Sequence, residues 1–156
     1  MNGDPKRIMR KISVKEQPLT FFARYNKESV EFIDPNNHAV KCGEIWMANL
    51  PEKSGSVQSG HRPVFVISND KNNKYSPIVN VIPFTSKMNK KNLPCHVEIW
   101  DYDKYGLLAP STLMIEQLQT MKKEDLIYHM GEIRDVDMLM RICKAMKSQF
   151  PIIQNN

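Results

Sequence analysis

From Gly43 onward the chain carries a series of short apolar runs, each closed by residues that stop a strand. Glu44-Ile45-Trp46-Met47-Ala48-Asn49-Leu50 is strand-like and ends at Pro51. Pro63-Val64-Phe65-Val66-Ile67-Ser68 is continuously apolar and bounded by Asn69-Asp70, the pattern of a strand buried on both faces. Ile78-Val79-Asn80-Val81-Ile82-Pro83-Phe84 repeats it after the turn at Ser76-Pro77. Cys95-His96-Val97-Glu98-Ile99 alternates with period two, and Ser111-Thr112-Leu113-Met114-Ile115 closes the series. Between the first two runs lies a polar loop, Pro51 to Gly60, rich in Ser, Gly, Lys and Gln.

The C-terminal part changes period. Lys122 to Tyr128 reads as one or two helical turns. Asp135 to Gln149 reads as a longer helix, capped by Asp135, with Val136, Leu139, Met140, Cys143 and Met146 as its apolar face and Phe150-Pro151 as its stop. Short strands with turns between them, then a terminal helix, predict an α+β domain that is mainly β: a small β-barrel with a helix packed alongside. Residues 1 to 40 differ from the rest. They begin with Lys6, Arg7, Arg10 and Lys11, and end in the turn-like Asp34-Pro35-Asn36-Asn37; Phe22, Tyr25, Val30 and Ile33 are spaced for a short helix over Phe21–Ile33. The expected organisation is therefore an N-terminal basic extension, 1–40, partly helical or disordered, and a domain over 41–156.

Composition narrows the class. With 156 residues, 41% of them hydrophobic and 25% charged, the chain can bury a core. No run is apolar for long enough to cross a bilayer, and the charged start lacks the apolar stretch of a secretion signal, so the expectation is a soluble cytoplasmic protein. Cys42, Cys95 and Cys143 are odd in number and form no C-x-x-C pair, which suits reduced thiols. His38, His61, His96 and His129 lack paired metal-ligand spacing, leaving open only a metal site assembled from distant residues. No metal or cofactor is expected. The net charge of +5 favours polyanions without identifying them.

The ordered motifs are more specific. Gly43-Glu44-Ile45-Trp46, then Gly55-Ser56-Val57-Gln58-Ser59-Gly60-His61-Arg62-Pro63-Val64, are followed by Ser68-Asn69-Asp70, Lys74-Tyr75-Ser76-Pro77 and Pro83-Phe84-Thr85-Ser86. Leu93-Pro94-Cys95-His96-Val97-Glu98-Ile99, Tyr105-Gly106-Leu107 and Glu116-Gln117 complete the series. This order and spacing, from about Gly43 to Phe150, resembles the MazF/PemK/Kid toxins. The resemblance implies an SH3-like barrel of five to seven strands and a homodimer that lays RNA in a groove beside its interface. It implies a sequence-specific endoribonuclease, the toxin of a type II toxin–antitoxin pair, held in check by a cognate antitoxin. Such enzymes cut single-stranded messenger RNA without a metal, leaving a 2′,3′-cyclic phosphate and a 5′-hydroxyl.

By that resemblance Arg62 and Thr85 are the catalytic pair. The chemistry suits them, because RNA supplies its own 2′-hydroxyl nucleophile and the protein has to hold the phosphate and neutralise its added charge. A guanidinium binds phosphate oxygens bidentately, and a threonine hydroxyl can bond the phosphate or the 2′-oxygen. Ser56 and Gln58 in the polar loop, together with His61, Asn69, Ser86, Glu116 and Gln117, are expected to contact RNA. A histidine's unperturbed pKa would suit a general base, but relatives often carry a non-titrating residue at the place of His61, so it reads as a loop residue touching RNA. His96, on an alternating strand, reads as structural. Departures from the family pattern are Val57, where many relatives are acidic, Gln119, where many carry arginine, and the extension before residue 41. Two other functions stay in view: a non-catalytic barrel that binds RNA or protein, and a toxin directed at DNA gyrase, since a related toxin family shares the barrel.

Overall fold

The computed structural model describes residues 39–88 and 92–154. The helix expected over Phe21–Ile33 and all but the last two residues of the N-terminal extension lie outside them. Among the described residues seven strands are formed: β1 (Glu44–Leu50), β2 (Gly60–Val66), β3 (Ile78–Thr85), β4 (His96–Ile99), β5 (Ser111–Met114), β6 (Gln119–Lys122) and β7 (Leu126–Glu132). Two α-helices join them, α1 (Asp70–Tyr75) and α2 (Val136–Gln149). Every strand pairing is antiparallel. The path runs β4-β5-β3-β2-β1-β7, with β6 on β3. Among the described residues no pairing joins the two ends, so the expected barrel is an unclosed, curled sheet.

β3 is the shared strand. Along one edge it pairs with β2, from Val64 opposite Pro83 to Val66 opposite Val81. Along the other it pairs first with β6, over Ile78–Val81, and then with β5, over Phe84–Thr85. The change of neighbour falls at Ile82-Pro83. Proline has no N–H to give to a ladder, and a proline inside a central strand is tolerated where the pairing is interrupted.

Alternate residues of these strands feed two apolar clusters. Ile45, Phe65, Ile82 and Phe84 point into the cluster beneath α2, with Leu113, Ile115, Ile133, Met138 and Ile142. Trp46, Ala48, Leu50, Val64, Val66, Val79 and Val81 fill the other, with Met121 and Leu126. Both faces of β1–β3 are therefore covered, which is why those segments are apolar without alternation. Val40 is also buried in the second cluster.

Motif residues account for part of this frame. Glu44 is buried, and a buried carboxylate is costly unless it is bonded. Its Oε2 accepts from Trp46 Nε1 at 2.9 Å and from the Lys41 N–H at 3.0 Å. His129 stands edge-on to Trp46, with ring centroids 5.4 Å apart. After β2, Asn69 caps α1 by accepting from the Asn72 N–H at 2.9 Å, and Asp70 accepts from the Cys42 N–H at 2.8 Å.

The structure corrects several expectations. Lys122 to Tyr128 is not helical: a 3-10 turn at Lys123–Asp125 leads into β7, whose partner β1 is distant in sequence. Cross-strand burial of Leu126 outweighs the local helical preference of the charged residues before it. α1 and β6 were not anticipated, and Ile115 belongs to a 3-10 turn rather than to β5. α2 begins after Asp135, whose carboxylate accepts from the Met138 N–H at 3.1 Å, as expected. Its buried face, however, is Met138, Ile142 and Ala145, flanked by Leu139 and Met146, whereas Val136, Met140 and Cys143 are exposed. His61 lies within β2, opposite Asn49, not in the preceding loop.

Two glycines allow a close approach that ties the turn Tyr102–Tyr105 to β7. Gly106 ends that turn at φ 76°, and a Cβ there would overlap the Met130 carbonyl group, its carbon only 2.7 Å away. A Cβ on Gly131 would overlap the Tyr105 carbonyl group in the same way. Gly131→Ala should destabilise the domain by at least about 2 kcal/mol. Thermal unfolding should register this as a fall in Tm of roughly 5 °C or more.

Candidate active site

Arg62 and Thr85 meet through strand register. The β2–β3 pairing runs Val66–Val81, Phe65–Ile82, Val64–Pro83, and just beyond its end lie Arg62, two residues before Val64, and Thr85, two residues after Pro83. Thr85 is in turn paired with Thr112 of β5. Residues two apart along a strand share a face, so Arg62 lies on the face of Val64 and Thr85 on the face of Pro83, which are paired across the ladder.

Both line a cleft of about 250 Å³, with His61, Ser86 and Lys87. Pro63, Phe84, Leu108 and Ala109 give it an apolar wall. Among the described residues no carboxylate lines it and two cationic side chains do, so its charge suits an anion. Arg62 is half-buried, and burial pushes its guanidinium below the usual arginine pKa without threatening its charge. Its Nε donates to the Ser59 carbonyl at 3.0 Å and its Nη1 to the Phe84 carbonyl at 3.5 Å. Those two bonds aim the planar group and do not use Nη2. The Thr85 hydroxyl accepts from the Lys87 N–H at 3.2 Å, which leaves its own proton to donate elsewhere.

The loop between β1 and β2 is fastened by two glutamines. Gln117 Oε1 accepts from the Gln58 N–H at 3.1 Å, while Gln117 Nε2 donates to the Ser56 carbonyl at 3.2 Å. Gln119, buried at the start of β6, donates to the Gln58 and Gln117 carbonyls, each at 3.3 Å, and accepts from Lys53 Nζ at 3.2 Å. The next residue of the loop, Ser59, carries the carbonyl that holds Arg62. Gln119, read from sequence as a lost cation, is thus an anchor of the loop.

The expected site residues therefore fall into distinct groups. His61, Arg62, Thr85 and Ser86 share the cleft; Ser56, Gln58 and Gln117 are joined in the loop fastening; Glu116 is bonded to His96, with Oε1 and Nε2 2.7 Å apart. Asn69 follows the opposite end of β2 from Arg62 and caps α1. Lys87 was not singled out from sequence. It follows Thr85-Ser86 in a polar stretch, and only the folded cleft distinguishes it from the surface lysines nearby.

A small antiparallel β domain with a helix on one cluster and a basic cleft across β2 and β3 is the class this geometry defines. The profile of a family described as PemK-like, MazF-like toxin of type II toxin-antitoxin system matches residues 41–150. The chain belongs to that family. Among solved structures, Mycobacterium tuberculosis toxin MazF-mt6 is similar at a TM-score of 0.58 and 21% identity, over 69% of this chain and 96% of that one. MazF from Deinococcus radiodurans gives a TM-score of 0.60 at 18% identity, over 73% and 98% of the two chains. A mycobacterial endoribonuclease in complex with its cognate antitoxin gives 0.56 at 18% identity, over 73% and 95%. At these identities the likeness is one of fold.

Removing the Gln117 amide should release the Gln58 N–H to solvent. In Gln117→Ala, hydrogen exchange at Gln58 should speed up by about tenfold, the weight of one net hydrogen bond. Exchange at Val64–Val66 should be unchanged, because those amides lie in the ladder.

Proposed function

We propose that this protein is a sequence-specific endoribonuclease that cuts single-stranded messenger RNA without a metal, as the toxin of a type II toxin–antitoxin pair. The observation that carries the reading is the juxtaposition of Arg62 and Thr85 in one cationic cleft with an apolar wall. Family membership supports it, and so does the likeness of fold to a mycobacterial endoribonuclease.

In this reading a phosphodiester enters the cleft beside Arg62. The 2′-hydroxyl attacks the adjacent phosphorus; its proton is lost, the bond to the 5′-oxygen breaks, and that oxygen takes up a proton as it leaves. The products are a 2′,3′-cyclic phosphate and a 5′-hydroxyl. Arg62, aimed by the Ser59 and Phe84 carbonyls, neutralises the charge that builds on the phosphoryl oxygens, and a guanidinium already fixed in place does so with little reorganisation. Thr85 donates its hydroxyl to a phosphoryl oxygen. Because the nucleophile belongs to the substrate, no metal-bound hydroxide is called for.

His61, Ser86 and Lys87 hold the flanking nucleotides, and unstacked bases are read by the 51–59 loop. Ser56, Gln58 and Gln117 present bonding groups there; Glu116 adds a carboxylate in the turn beside Gln117, whereas Asn69, spent on capping α1, is not among these contacts. The enzyme works in the cytoplasm as a homodimer, and a cognate antitoxin protein restrains it.

A long single-stranded RNA incubated with the protein in EDTA should be cut at one recurring short motif. Arg62→Ala and Thr85→Ala should each lower the single-turnover rate by about a hundredfold or more, with circular dichroism unchanged. Cutting that survives both substitutions would remove this cleft from the chemistry. RNA binding with no cutting by the folded wild-type protein would favour the non-catalytic barrel. Gyrase inhibition that persists in both variants would favour the gyrase-directed toxin.

A further inference from the structure

One group of side chains beyond the Arg62–Thr85 cleft combines metal-ligating chemistry with incomplete bonding. Cys95, His96 and Glu116 bring a thiol sulfur, an imidazole nitrogen and a carboxylate oxygen within 4.8 Å of one another. Cys95 and His96 stand at the start of β4, and Glu116 lies in the 3-10 turn after β5. The fold joins these places independently of the side chains. His96 is registered against Met114, and the Ile115 N–H donates to the Cys95 carbonyl at 3.1 Å.

The His96 side chain is 7% exposed, and its Nε2 lies 2.7 Å from Glu116 Oε1. Its Nδ1 is buried without a hydrogen-bond partner among the described residues. An ion in the cluster would take Nε2, the nitrogen beside Glu116, in exchange for its bond to that carboxylate. The Glu116 carboxylate lies within 4.8 Å of both the Cys95 sulfur and a His96 ring nitrogen. A single carboxylate therefore serves a thiol and an imidazole together. Glu116 itself reaches solvent, which gives an ion a route in.

We propose that Cys95, His96 and Glu116 form a binding site for one borderline-soft divalent cation of the zinc type, with water completing the tetrahedron. Thiolate and imidazole select zinc-like ions over magnesium or calcium, whose ligands are oxygens. Two anionic ligands and one neutral one balance the charge of the ion, and the thiol proton passes to solvent on binding. The required movement is small. With bonds of about 2.0 Å to nitrogen and oxygen and about 2.3 Å to sulfur, tetrahedral ligand atoms stand roughly 3.3–3.6 Å apart. The imidazole–carboxylate pair opens by about half an ångström, and the sulfur closes by at most about 1.5 Å, which a side-chain rotation can supply.

The ion would tie the start of β4 to the turn that also carries Gln117, the anchor of the 51–59 loop. Its place is on the scaffold of the loop and not on Arg62 or Thr85, so the inference stands whether or not the cleft cuts RNA.

The test is titration of the reduced full-length chain with Co²⁺, a spectroscopic stand-in for Zn²⁺. The expected result is a thiolate-to-cobalt charge-transfer band that saturates at one ion per chain and is displaced by Zn²⁺. Cys95→Ser should abolish the band, and Glu116→Gln should weaken binding by at least about tenfold. The double variant Cys42→Ser, Cys143→Ser should keep it. Zn²⁺ should also raise the Tm of the wild type and leave that of Cys95→Ser unmoved. Absence of the band in the folded wild-type chain would overturn the proposal. So would a band that persists in Cys95→Ser, or one whose affinity ignores Glu116→Gln.

Discussion

The antiparallel pairing of β2 with β3 is the constraint on which the rest depends. Both strands bury alternate residues in two separate clusters, Phe65, Ile82 and Phe84 on one side and Val64, Val66 and Val81 on the other. A slip of one residue would exchange the two sets, placing each side chain in the wrong cluster. The register is consequently locked by packing on both faces. That Arg62 and Thr85 line one cleft follows from that lock and needs no bond between the two side chains. β3 then hands the frame onward, to β6 before Pro83 and to β5 after it, so that the cleft opens where the sheet divides.

The series of short motifs serves two ends. Glu44 and Trp46 form a buried pair that fixes the start of β1, and Asn69 and Asp70 fasten α1 to the chain around it. These residues hold the fold together. His61, Arg62, Thr85 and Ser86 face the cleft and are positioned by backbone carbonyls and strand pairing. A run of matching motifs therefore identifies the family without separating the residues that shape the protein from those that act. Only the bonding of each side chain makes that division.

The same division explains what could be read in advance. β1 to β3 were legible because both-face burial leaves an apolar run and because Pro51, Asn69 and Asp70 mark its limits, and β4 because its residues alternate in burial. β7 was not, since Leu126–Glu132 follows a charged stretch of good helical propensity and its partner is a strand far back in the sequence. α2 carries two apolar stripes, and periodicity alone could not choose between Val136-Met140-Cys143 and Met138-Ile142-Ala145; packing against Ile133 and Leu113 decides. Arg62 and Thr85 came from family resemblance, because a register linking positions that far apart leaves no local trace. Lys87 and the anchoring role of Gln119 depend on which backbone groups come near, and that is settled by the fold alone.

The fastening of the 51–59 loop has a consequence of its own. Gln117 and Gln119 are neutral amides, and the groups they hold are chiefly backbone carbonyls and an N–H. Attraction between a cationic cleft and a polyanion fades as ionic strength rises, whereas bonds between uncharged dipoles do not. Many relatives place an arginine where Gln119 stands, and a charged residue there would couple the loop to the surrounding salt. Apart from the Lys53–Gln119 bond, the fastening of this loop is therefore less sensitive to ionic strength than one made of ion pairs.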